Sequence, residues 1–414
     1  MKKYKLEEVL SISSISVIPQ AGITYKLYSL PSFDDGQEPE TARGEAIQSN
    51  KYVVPTHCIL FNKLNVRFKR IWRIDNNTPN KLCSTEFLPL VINDDIIDYQ
   101  YCYYLLASDY LTNYLCGINS NTSGSHKRIN PDMLLSVDVV LPPLKEQKCI
   151  GSMLANLDRK IALNRALNHN LEAMAKQLYD YWFVQFDFPD ENGRPYKSSG
   201  GKMVWNEKLK RDIPDGWGVA PLNRELEIKS GYAFKSGSYS SEGMFKIITI
   251  KNVQDGYLNI STCECIETLP KDIKKWCILQ KGDRLISLTG NCGRVCRVTS
   301  EDLLLNQRVG VFCCDGLFSE YFYQFLASDE GNHYCVNLAN GAAQANLSPI
   351  DLCKMALVYP SRETLSLFNK TVKPIIQQYI ANEQKIENFT KLRDELLPLL
   401  MNGQVSVNYD LSCD

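Results

Sequence analysis

The sequence predicts an α+β fold class: two homologous α/β globular domains, separated by two long helices that form an antiparallel coiled coil with pseudo-twofold symmetry. Two observations support this prediction. The phrase YCYYLLASD at 101–109 is nearly repeated as YFYQFLASD at 321–329, and a heptad pattern follows each copy. Repetition at a fixed distance identifies duplicated structural units. The predicted bounds are 1–143 for the first domain, 144–186 for the first long helix, 187–215 for a linker, 216–360 for the second domain, 361–403 for the second long helix and 404–414 for a tail.

The repeat extends on both sides of the shared phrase, at a spacing that stays near 220 residues. Downstream, the polar loops NTSGSHKRINPDML and NGAAQANLSPIDLC each lead through a proline into an apolar strand, VDVVLPP or MALVYP. Upstream, VPTHCILFNKL resembles QKGDRLISLTG, a turn followed by an apolar run. Each copy of the phrase itself reads as a short amphipathic helix that ends at Ala-Ser-Asp. Ordered matches at one spacing predict two homologous domains.

After each domain, apolar residues recur at heptad positions, which is typical of long helices that pair. About 40 residues of helix span roughly 60 Å, more than the width of a small domain. A single buried helix in each domain is therefore the weaker interpretation. The seam is assigned to Leu154, Leu157, Ile161, Leu171, Leu178, Val372, Ile386, Phe389 and Leu396.

Asparagines interrupt both seams near their middles, Asn164 and Asn168 in the first and Asn382 in the second. A polar seam residue costs stability and fixes the register of the pair. If these asparagines face each other, the helices are antiparallel. Pro374 conflicts with the pattern, because an interior proline removes a backbone hydrogen bond. We expect the second helix to bend at Pro374 or to begin there.

The composition is that of an ordinary globular protein, with 44% hydrophobic and 22% charged residues among 414. No apolar run reaches the roughly 18 residues of a membrane span, and the N-terminus lacks a signal-peptide pattern, so a cytoplasmic protein is expected. Fifteen cysteines occur without a Cys-x-x-Cys pair. Zinc sites need spaced pairs. We therefore expect no metal site, and we interpret the cysteines as reduced, buried side chains.

Motifs of self-contained enzymes are not apparent. The sequence has no phosphate-binding Gly-x-x-x-x-Gly-Lys-Ser/Thr loop, no serine elbow and no His-Glu-x-x-His helix. The tetrapeptide Asp/Asn-Pro-Pro-aromatic of amine methylation is also missing. We therefore predict that the chain has no catalytic residues.

Two domains held apart by paired antiparallel helices suit a ligand that is itself a two-stranded, pseudo-symmetric rod. Double-stranded DNA is such a ligand, and dimeric proteins read half-sites about 34–36 Å apart. Because the two domains have diverged, we expect an asymmetric site in two parts. The net charge of −1 weighs mildly against a nucleic-acid binder, although local basic surfaces remain possible.

Basic and amide side chains cluster in matched segments of both repeats, and such side chains contact phosphates and base edges. Each of them alone could be an ordinary solvated residue, so the prediction rests on the clusters. The candidate DNA-binding residues are Lys63, Arg67, Lys69, Arg70, Arg73, His126, Lys127, Arg128, Lys229, Lys235, Asn291, Arg294 and Arg297.

Four segments resemble the specificity subunit of a type I restriction–modification enzyme. They are LPPLKEQKCIGSMLANLDRKIALNR at 141–165, IPDGWGVAPL at 213–222, GDRLISLTGNCGRV at 282–295 and LRDELLPLLMNGQVSV at 392–407. The resemblance covers essentially the whole chain. The second repeat departs from it, with YPSRETLSLF in place of the Pro-Pro-Leu-x-Glu-Gln pattern.

The resemblance implies that each globular domain is a target recognition domain and that the coiled coil sets the unread spacer. It also implies two methyltransferase (modification) subunits docked on the helices, restriction motor-nuclease subunits that join them, and no membrane partner. The subunit would direct adenine-N6 methylation and ATP-dependent restriction. S-adenosylmethionine, ATP and Mg²⁺ would belong to the partner subunits, with no cofactor in this chain.

Two other interpretations remain open from the sequence. A non-catalytic tether with two protein-binding modules on a coiled-coil spacer would show no salt-sensitive affinity for DNA. A self-contained enzyme with an unrecognised site would methylate or cleave DNA without partners.

Overall fold

The computed structural model describes residues 1–118, 127–235, 237, 239–339 and 345–405. The chain divides into two compact units, Met1–Ile161 with Asn388–Asp414 and Ala162–Glu387. Both long helices contribute residues to both units. We call residues 2–141 the first lobe and residues 218–359 the second lobe. No helix in the described part of the chain is long and apolar enough to cross a membrane.

The elements up to the end of the first long helix are β1 (Lys2–Lys5), α1 (Leu6–Val9), β2 (Leu10–Ile12), β3 (Ser16–Val17), β4 (Thr24–Tyr28), α2 (Leu30–Asp34), β5 (Glu40–Arg43), β6 (Lys51–Val53), β7 (His57–Asn62), β8 (Ile71–Asp75), β9 (Lys81–Cys83), β10 (Phe87–Ile92), α3 (Tyr99–Ala107), α4 (Asp109–Ile118), α5 (Pro131–Leu135), β11 (Asp138–Leu141) and the first long helix α6 (Leu144–Tyr179).

A π-helical turn, Asp180–Val184, ends this helix. The remaining elements are β12 (Met203–Asn206), β13 (Arg211–Pro214), β14 (Gly218–Pro221), β15 (Leu226–Ser230), β16 (Phe245–Ile248), β17 (Glu264–Ile266), β18 (Ile278–Leu279), β19 (Arg284–Ser287), β20 (Val295–Arg297), β21 (Leu303–Leu305), β22 (Val309–Cys314), α7 (Gly316–Ala327), α8 (Asp329–Leu338), α9 (Pro349–Leu352), β23 (Ala356–Tyr359) and the second long helix α10 (Arg362–Met401).

The two lobes share one topology. The first has an antiparallel sheet in the order β2-β10-β7-β8 and a mixed sheet in the order β3-β6-β9-β4-β5. The second has β15-β22-β19-β20 and β17-β16-β21-β18, so every strand except β3 has a counterpart. Each mixed sheet contains one parallel pair, β4 with β9 or β16 with β21. The pairs β1-β11 and β14-β23 also correspond. The predicted duplication is therefore confirmed.

The repeated phrase forms a helix–stop–helix element in both lobes, α3-α4 and α7-α8. Ser108 and Ser328 end the first helix of each pair in extended backbone conformation. Each serine hydroxyl then accepts a backbone N–H of the next helix, from Leu111 or Gly331. Serine suits this position because its side chain satisfies an N–H that has no partner within the helix. The Ala-Ser-Asp signal thus stops one helix and caps the next.

The apolar face of these helices builds the core of each unit. In the first unit, Tyr101 and Leu105 of α3 pack in one cluster with Leu154 of α6 and Leu400 of α10. In the second unit, Phe322 of α7 belongs to a cluster with residues from both long helices. Burial of this apolar surface is the main favourable term that holds each lobe against the helices.

The two long helices run antiparallel within each unit. In the first unit, Arg393 donates to Asp158 at 3.0 Å, and Lys160 lies 5.3 Å from the ring centroid of Phe389. In the second unit, the buried Asn382 donates through Nδ2 to Oδ1 of the buried Asn168 at 3.0 Å. Two seam asparagines therefore face each other, which is the condition that the sequence sets for an antiparallel pair.

The nine predicted seam residues lie on the inner faces of the helices, and none is exposed. Five are buried and four are half-buried, namely Leu171, Leu178, Phe389 and Leu396. The prediction that α10 begins at Pro374 is wrong, because the helix begins at Arg362 and continues through the proline. Pro374 lies on an exposed face, where the carbonyl group left without a helical N–H donor can reach water.

The start of α6 is fixed by a side chain that the second repeat lacks. Gln147 is buried, and its amide donates to the carbonyl groups of Ile96 and Pro142. It also accepts the backbone N–H of Asp98 at 2.9 Å. In the second repeat, the equivalent position is the buried Leu365, which follows Pro360 by the same number of residues that separates Gln147 from Pro142. The glutamine in LPPLKEQ is thus explained by packing within the first unit.

Residues 187–215, predicted as a linker, contain the β12-β13 hairpin and pack on the second unit. Phe188 stacks on Tyr196 and on Trp217, with centroid distances of 4.7 and 4.8 Å. Trp205 is exposed, so Trp217 supplies the aromatic anchor of this segment.

Candidate nucleic-acid interface

In the first lobe, the turn after β7 lies beside the segment 127–130, which leads into α5. The Asn65 N–H donates to the Lys127 carbonyl at 2.8 Å, and the Ile129 N–H donates to the Lys63 carbonyl at 3.0 Å. Leu64 and Arg128 face each other across this bridge. We call residues 63–65 with 127–129 the first turn patch. It brings together Lys63, Lys127 and Arg128, which are far apart in the chain.

The second lobe contains the equivalent second turn patch, residues 288–290 with 345–347. Gly290 donates to the Ala345 carbonyl and Leu347 to the Leu288 carbonyl, both at 2.8 Å. Thr289 faces Asn346, with their side-chain oxygen atoms 3.3 Å apart. The turn residue has positive φ in both lobes, 51° at Asn65 and 75° at Gly290. Asn and Gly are the residues that tolerate this backbone conformation best.

Thr289 and Asn346 are polar candidates that were not among the residues predicted from the sequence. A signal for Asn346 was available, because it precedes Pro349 by the same three positions that separate Arg128 from Pro131. The two patches thus share a backbone frame but carry different chemistry. The first presents ammonium and guanidinium groups, whereas the second presents a hydroxyl and an amide.

Arg128, Arg70 and Lys69 of the first lobe form exposed or half-exposed ion pairs. Arg128 makes a bidentate pair with Glu86 at 2.6 and 2.9 Å, and Arg70 makes one with Asp34 at 2.7 Å in both bonds. Lys69 lies 2.6 Å from Asp109. Exposed pairs of this kind contribute little to stability. Their cations can therefore exchange a carboxylate for a phosphate at small cost.

Arg67 is exposed, and its guanidinium lies 4.7 Å from the ring centroid of Phe68. His126 lies outside the described residues. Arg73 donates to the Gln100 side chain at 2.9 Å and stacks on the Tyr103 ring at 4.4 Å. Arg73 therefore contacts α3, although its side chain is 33% exposed and thus less buried than that of Arg70, which is 20% exposed.

The candidates of the second lobe are less closely grouped. Lys229 pairs with Glu227 at 3.1 Å and lies over Trp276. Lys235 and Asn291 are exposed. Arg294 donates to Gln254 at 2.8 Å and pairs with Asp255 at 3.3 Å. Of these side chains, Asn291 lies nearest in sequence to the second turn patch.

Arg297 is corrected from a DNA-contacting residue to an internal one. Its side chain is 1% exposed. Its guanidinium donates to Glu320 at 2.5 Å and to Glu172 at 3.4 Å, and lies 3.7 Å from the ring centroid of Tyr323. A guanidinium enclosed in this way cannot reach a phosphate. The prediction failed because RVCRV gives no indication of the carboxylates that surround it.

The electrostatics of this cluster follow from burial and pairing. Burial acts to raise the pKa of Glu320, but Arg297 and Arg284 outweigh it and hold the pKa below its usual value. Glu172 has only the longer contact to Arg297, so burial dominates and raises its pKa to about 7. Across the described ranges, no group of three or more His, Cys, Asp or Glu side chains could hold a metal ion.

Two lobes of one topology, which carry equivalent polar turn patches and are each packed on both long helices, define an internally duplicated protein of the α+β class. The model of the type I restriction modification DNA specificity domain matches residues 1–173 and 214–395. The chain therefore belongs to the family of type I restriction–modification specificity subunits, which supply DNA sequence specificity and are normally non-catalytic.

Two curated relatives support this assignment. The HindI specificity subunit of Haemophilus influenzae is 24% identical over 399 residues, covering 84% of this chain and 86% of the relative. The MjaIX specificity subunit of Methanocaldococcus jannaschii is 24% identical over 343 residues, covering 79% and 74%. The family, fold class and DNA-specificity function predicted from the sequence are confirmed.

A solved structure shares the fold. The S subunit of a type I restriction–modification system from M. genitalium aligns with a TM-score of 0.55 and 16% identity, covering 96% of this chain and 95% of that one.

Proposed function

We propose that this chain reads an asymmetric DNA site in two parts and brings methyltransferase and restriction subunits to it. Each lobe reads one half-site, and the long helices fix the number of unread base pairs between the half-sites. The observation that carries the proposal is the pair of turn patches, because one duplicated backbone frame presents two different sets of side chains.

The chemistry of the patches supports two unlike half-sites. Lysine and arginine, as at Lys63 and Arg128, bind phosphates and the O6 and N7 atoms of guanine. Asparagine, as at Asn346, can pair with N6 and N7 of adenine. The first half-site is accordingly read with a larger electrostatic contribution than the second.

The chemical steps belong to the partners. Two modification subunits dock on the helices and transfer a methyl group from S-adenosylmethionine to adenine N6, after extruding the base from the duplex. Motor-nuclease subunits use ATP and Mg²⁺ for cleavage. This chain needs no cofactor of its own, and the assembled complex works in the cytoplasm.

The decisive experiment maps methylated adenines in DNA treated with the chain and its cognate methyltransferase subunits. We expect one two-part motif with a fixed gap, and no methylation by the chain alone. Methylation by the chain alone would identify a self-contained enzyme. A complex that shows no salt-sensitive DNA affinity would instead identify a protein-binding tether.

A variant set tests the role of the first turn patch. The double variant Lys63→Ala/Lys127→Ala removes two charges and should reduce the salt slope of DNA binding by about 2 if both contact phosphates. The matched control is Lys208→Ala, which removes an exposed lysine from the β12-β13 turn. An unchanged salt slope in the double variant would show that Lys63 and Lys127 do not contact DNA phosphates, and the interface would have to lie elsewhere on the lobe.

A further inference from the structure

An arginine pair recurs at equivalent positions of the two lobes. In the sequence RIWR, Arg70 immediately precedes β8 and Arg73 lies within it. In RVCR, Arg294 immediately precedes β20 and Arg297 is its last residue. The strands β8 and β20 occupy the same edge of equivalent sheets. The pair therefore has one structural position in both repeats, although the residues between the arginines differ.

The first arginine of each pair ties the two sheets of its lobe together. Arg70, at the edge of the antiparallel sheet, pairs with Asp34 in the segment between β4 and β5 of the mixed sheet. Arg294 pairs with Asp255 in the equivalent segment between β16 and β17. The contact thus lies within each lobe.

The second arginine points from the lobe to the long helices of its own unit. In the second unit, Arg297 stacks on Tyr323, donates to Glu320 of α7 and reaches Glu172 of α6. Its guanidinium also lies 5.8 Å from the ring centroid of Tyr379 on α10. One side chain of β20 therefore contacts α7 and both long helices.

The first unit repeats this arrangement with other helix residues. Arg73 stacks on Tyr103, the counterpart of Tyr323 in the repeated phrase, and donates to Gln100, the counterpart of Glu320. Its Nη2 lies 3.9 Å from Asp158 of α6. Asp158 and Glu172 do not occupy equivalent positions of the repeat. The arginine and the tyrosine are thus shared, while each unit supplies its helix carboxylate separately.

We infer that Arg73 and Arg297 are positioning residues, each of which fixes the orientation of its lobe on the long helices of its unit. The inference deepens the proposed function and rests on it, because the orientation of a lobe decides which base pairs its turn patch meets. A planar guanidinium suits this role, since it can stack on a ring and donate in two directions at once.

The test compares two changes at the helix end of the contact in the full-length chain. Glu172→Leu removes the acceptor for Arg297 and leaves the Arg297–Glu320 pair inside the lobe intact. Glu172→Gln keeps an acceptor oxygen of the same reach and is the matched control. Arg297→Lys, which keeps the charge but loses the planar stack, serves as an intermediate variant.

The first measurement is the distance distribution between spin labels at the exposed residues Glu267 and Lys370, both in the second unit. Labels are introduced through an unnatural amino acid, because the chain has fifteen cysteines. We expect Glu172→Leu to broaden the distribution and Glu172→Gln to leave it as in the wild type. Equal widths in both variants would overturn the inference.

The second measurement uses the complex with its methyltransferase subunits on DNA whose gap is one base pair shorter or longer. In Glu172→Leu the preference for the native gap should fall about tenfold, equivalent to about 1.4 kcal/mol, with unchanged half-site preference. A uniform loss on every DNA would indicate a merely structural role and contradict positioning. If the wild-type complex shows no half-site selectivity, the proposed function fails, and the label distances still decide whether Glu172 and Arg297 hold the lobe.

Discussion

Arg73 and Arg297 occupy the same position of a duplicated frame but differ in how completely the protein encloses them. The Arg73 side chain is 33% exposed and donates to a neutral amide, whereas Arg297 is 1% exposed and donates to a carboxylate. Asp158 in the first unit is also bound by Arg393 at 3.0 Å and therefore depends less on Arg73. The equivalent position in the two lobes thus fixes the direction of the arginine side chain, while the surrounding residues determine how much it contributes to stability.

The largest expected effect is at Arg297. Arg297→Met leaves the buried Glu320 with fewer compensating charges, and breaking a buried pair on one side costs about 3–5 kcal/mol. We expect the free energy of opening to fall by that amount for amides of β20 and α7, measured by native-state hydrogen exchange. Arg73→Met, the matched change, should lower it by only about 1 kcal/mol in β8 and α3. Equal losses in the two units would contradict the role of burial in this comparison.

The next effect concerns the seam asparagines of the second unit. Asn382→Leu leaves the buried Asn168 carbonyl without its donor, at a cost of about 1–3 kcal/mol in the free energy of unfolding. Replacing both partners should recover part of this loss, because the Asn168 carbonyl is removed as well, while Glu383 and Gln378 each lose one hydrogen-bond partner. Denaturant unfolding of the single and double variants measures the difference. A double variant as unstable as the sum of its single changes would show that the two asparagines do not depend on each other.

The third effect depends on pH and belongs to Glu172. Burial raises its pKa from 4.5 to about 7, so the folded protein holds this proton more tightly than the unfolded chain. The associated stabilisation is complete below about pH 4.5 and is lost as the pH rises through 7. Because the Glu172 side chain is 31% exposed, we expect a loss on the order of 2 kcal/mol.

Glu172→Gln isolates this contribution, since it keeps the acceptor for Arg297 and removes the titration. The variant should be more stable than the wild type at pH 8 and should lose the slope between pH 4.5 and 7, as measured by thermal unfolding across pH. A wild-type slope in Glu172→Gln would assign the titration to another group.

The sequence predicted the elements that depend on local signals. Ser108 and Ser328 end helices whichever lobe surrounds them, and the heptads predict long paired helices with asparagines near the middle of each seam. The burial of Arg297 was not predictable in this way, because its partners Glu320 and Glu172 lie 23 and 125 residues away in the chain. The turn patches were predictable only in part. Their prolines are visible in the sequence, but the pairing of residues 63–65 with 127–129 depends on how the lobe folds.

The smallest effect on stability, and the one that tests the two turn patches against each other, comes from Arg128→Ala and Asn346→Ala. Both side chains lie at equivalent bridge positions. Each change should alter the free energy of unfolding by no more than about 0.5 kcal/mol, because surface substitutions rarely do more. Binding should separate them. Arg128→Ala removes a cation and should lower the salt slope by about 1, whereas Asn346→Ala should leave the slope unchanged.

Asn346→Ala should instead relax the preference for one base pair in the second half-site, by about 1–3 kcal/mol if the amide reads a base edge. Titrations at several salt concentrations, on DNA altered in one half-site at a time, separate the two outcomes. If both variants changed only the salt slope, the two patches would differ in sequence but would both contact phosphates. Asymmetry of the site would then have to arise elsewhere in the lobes.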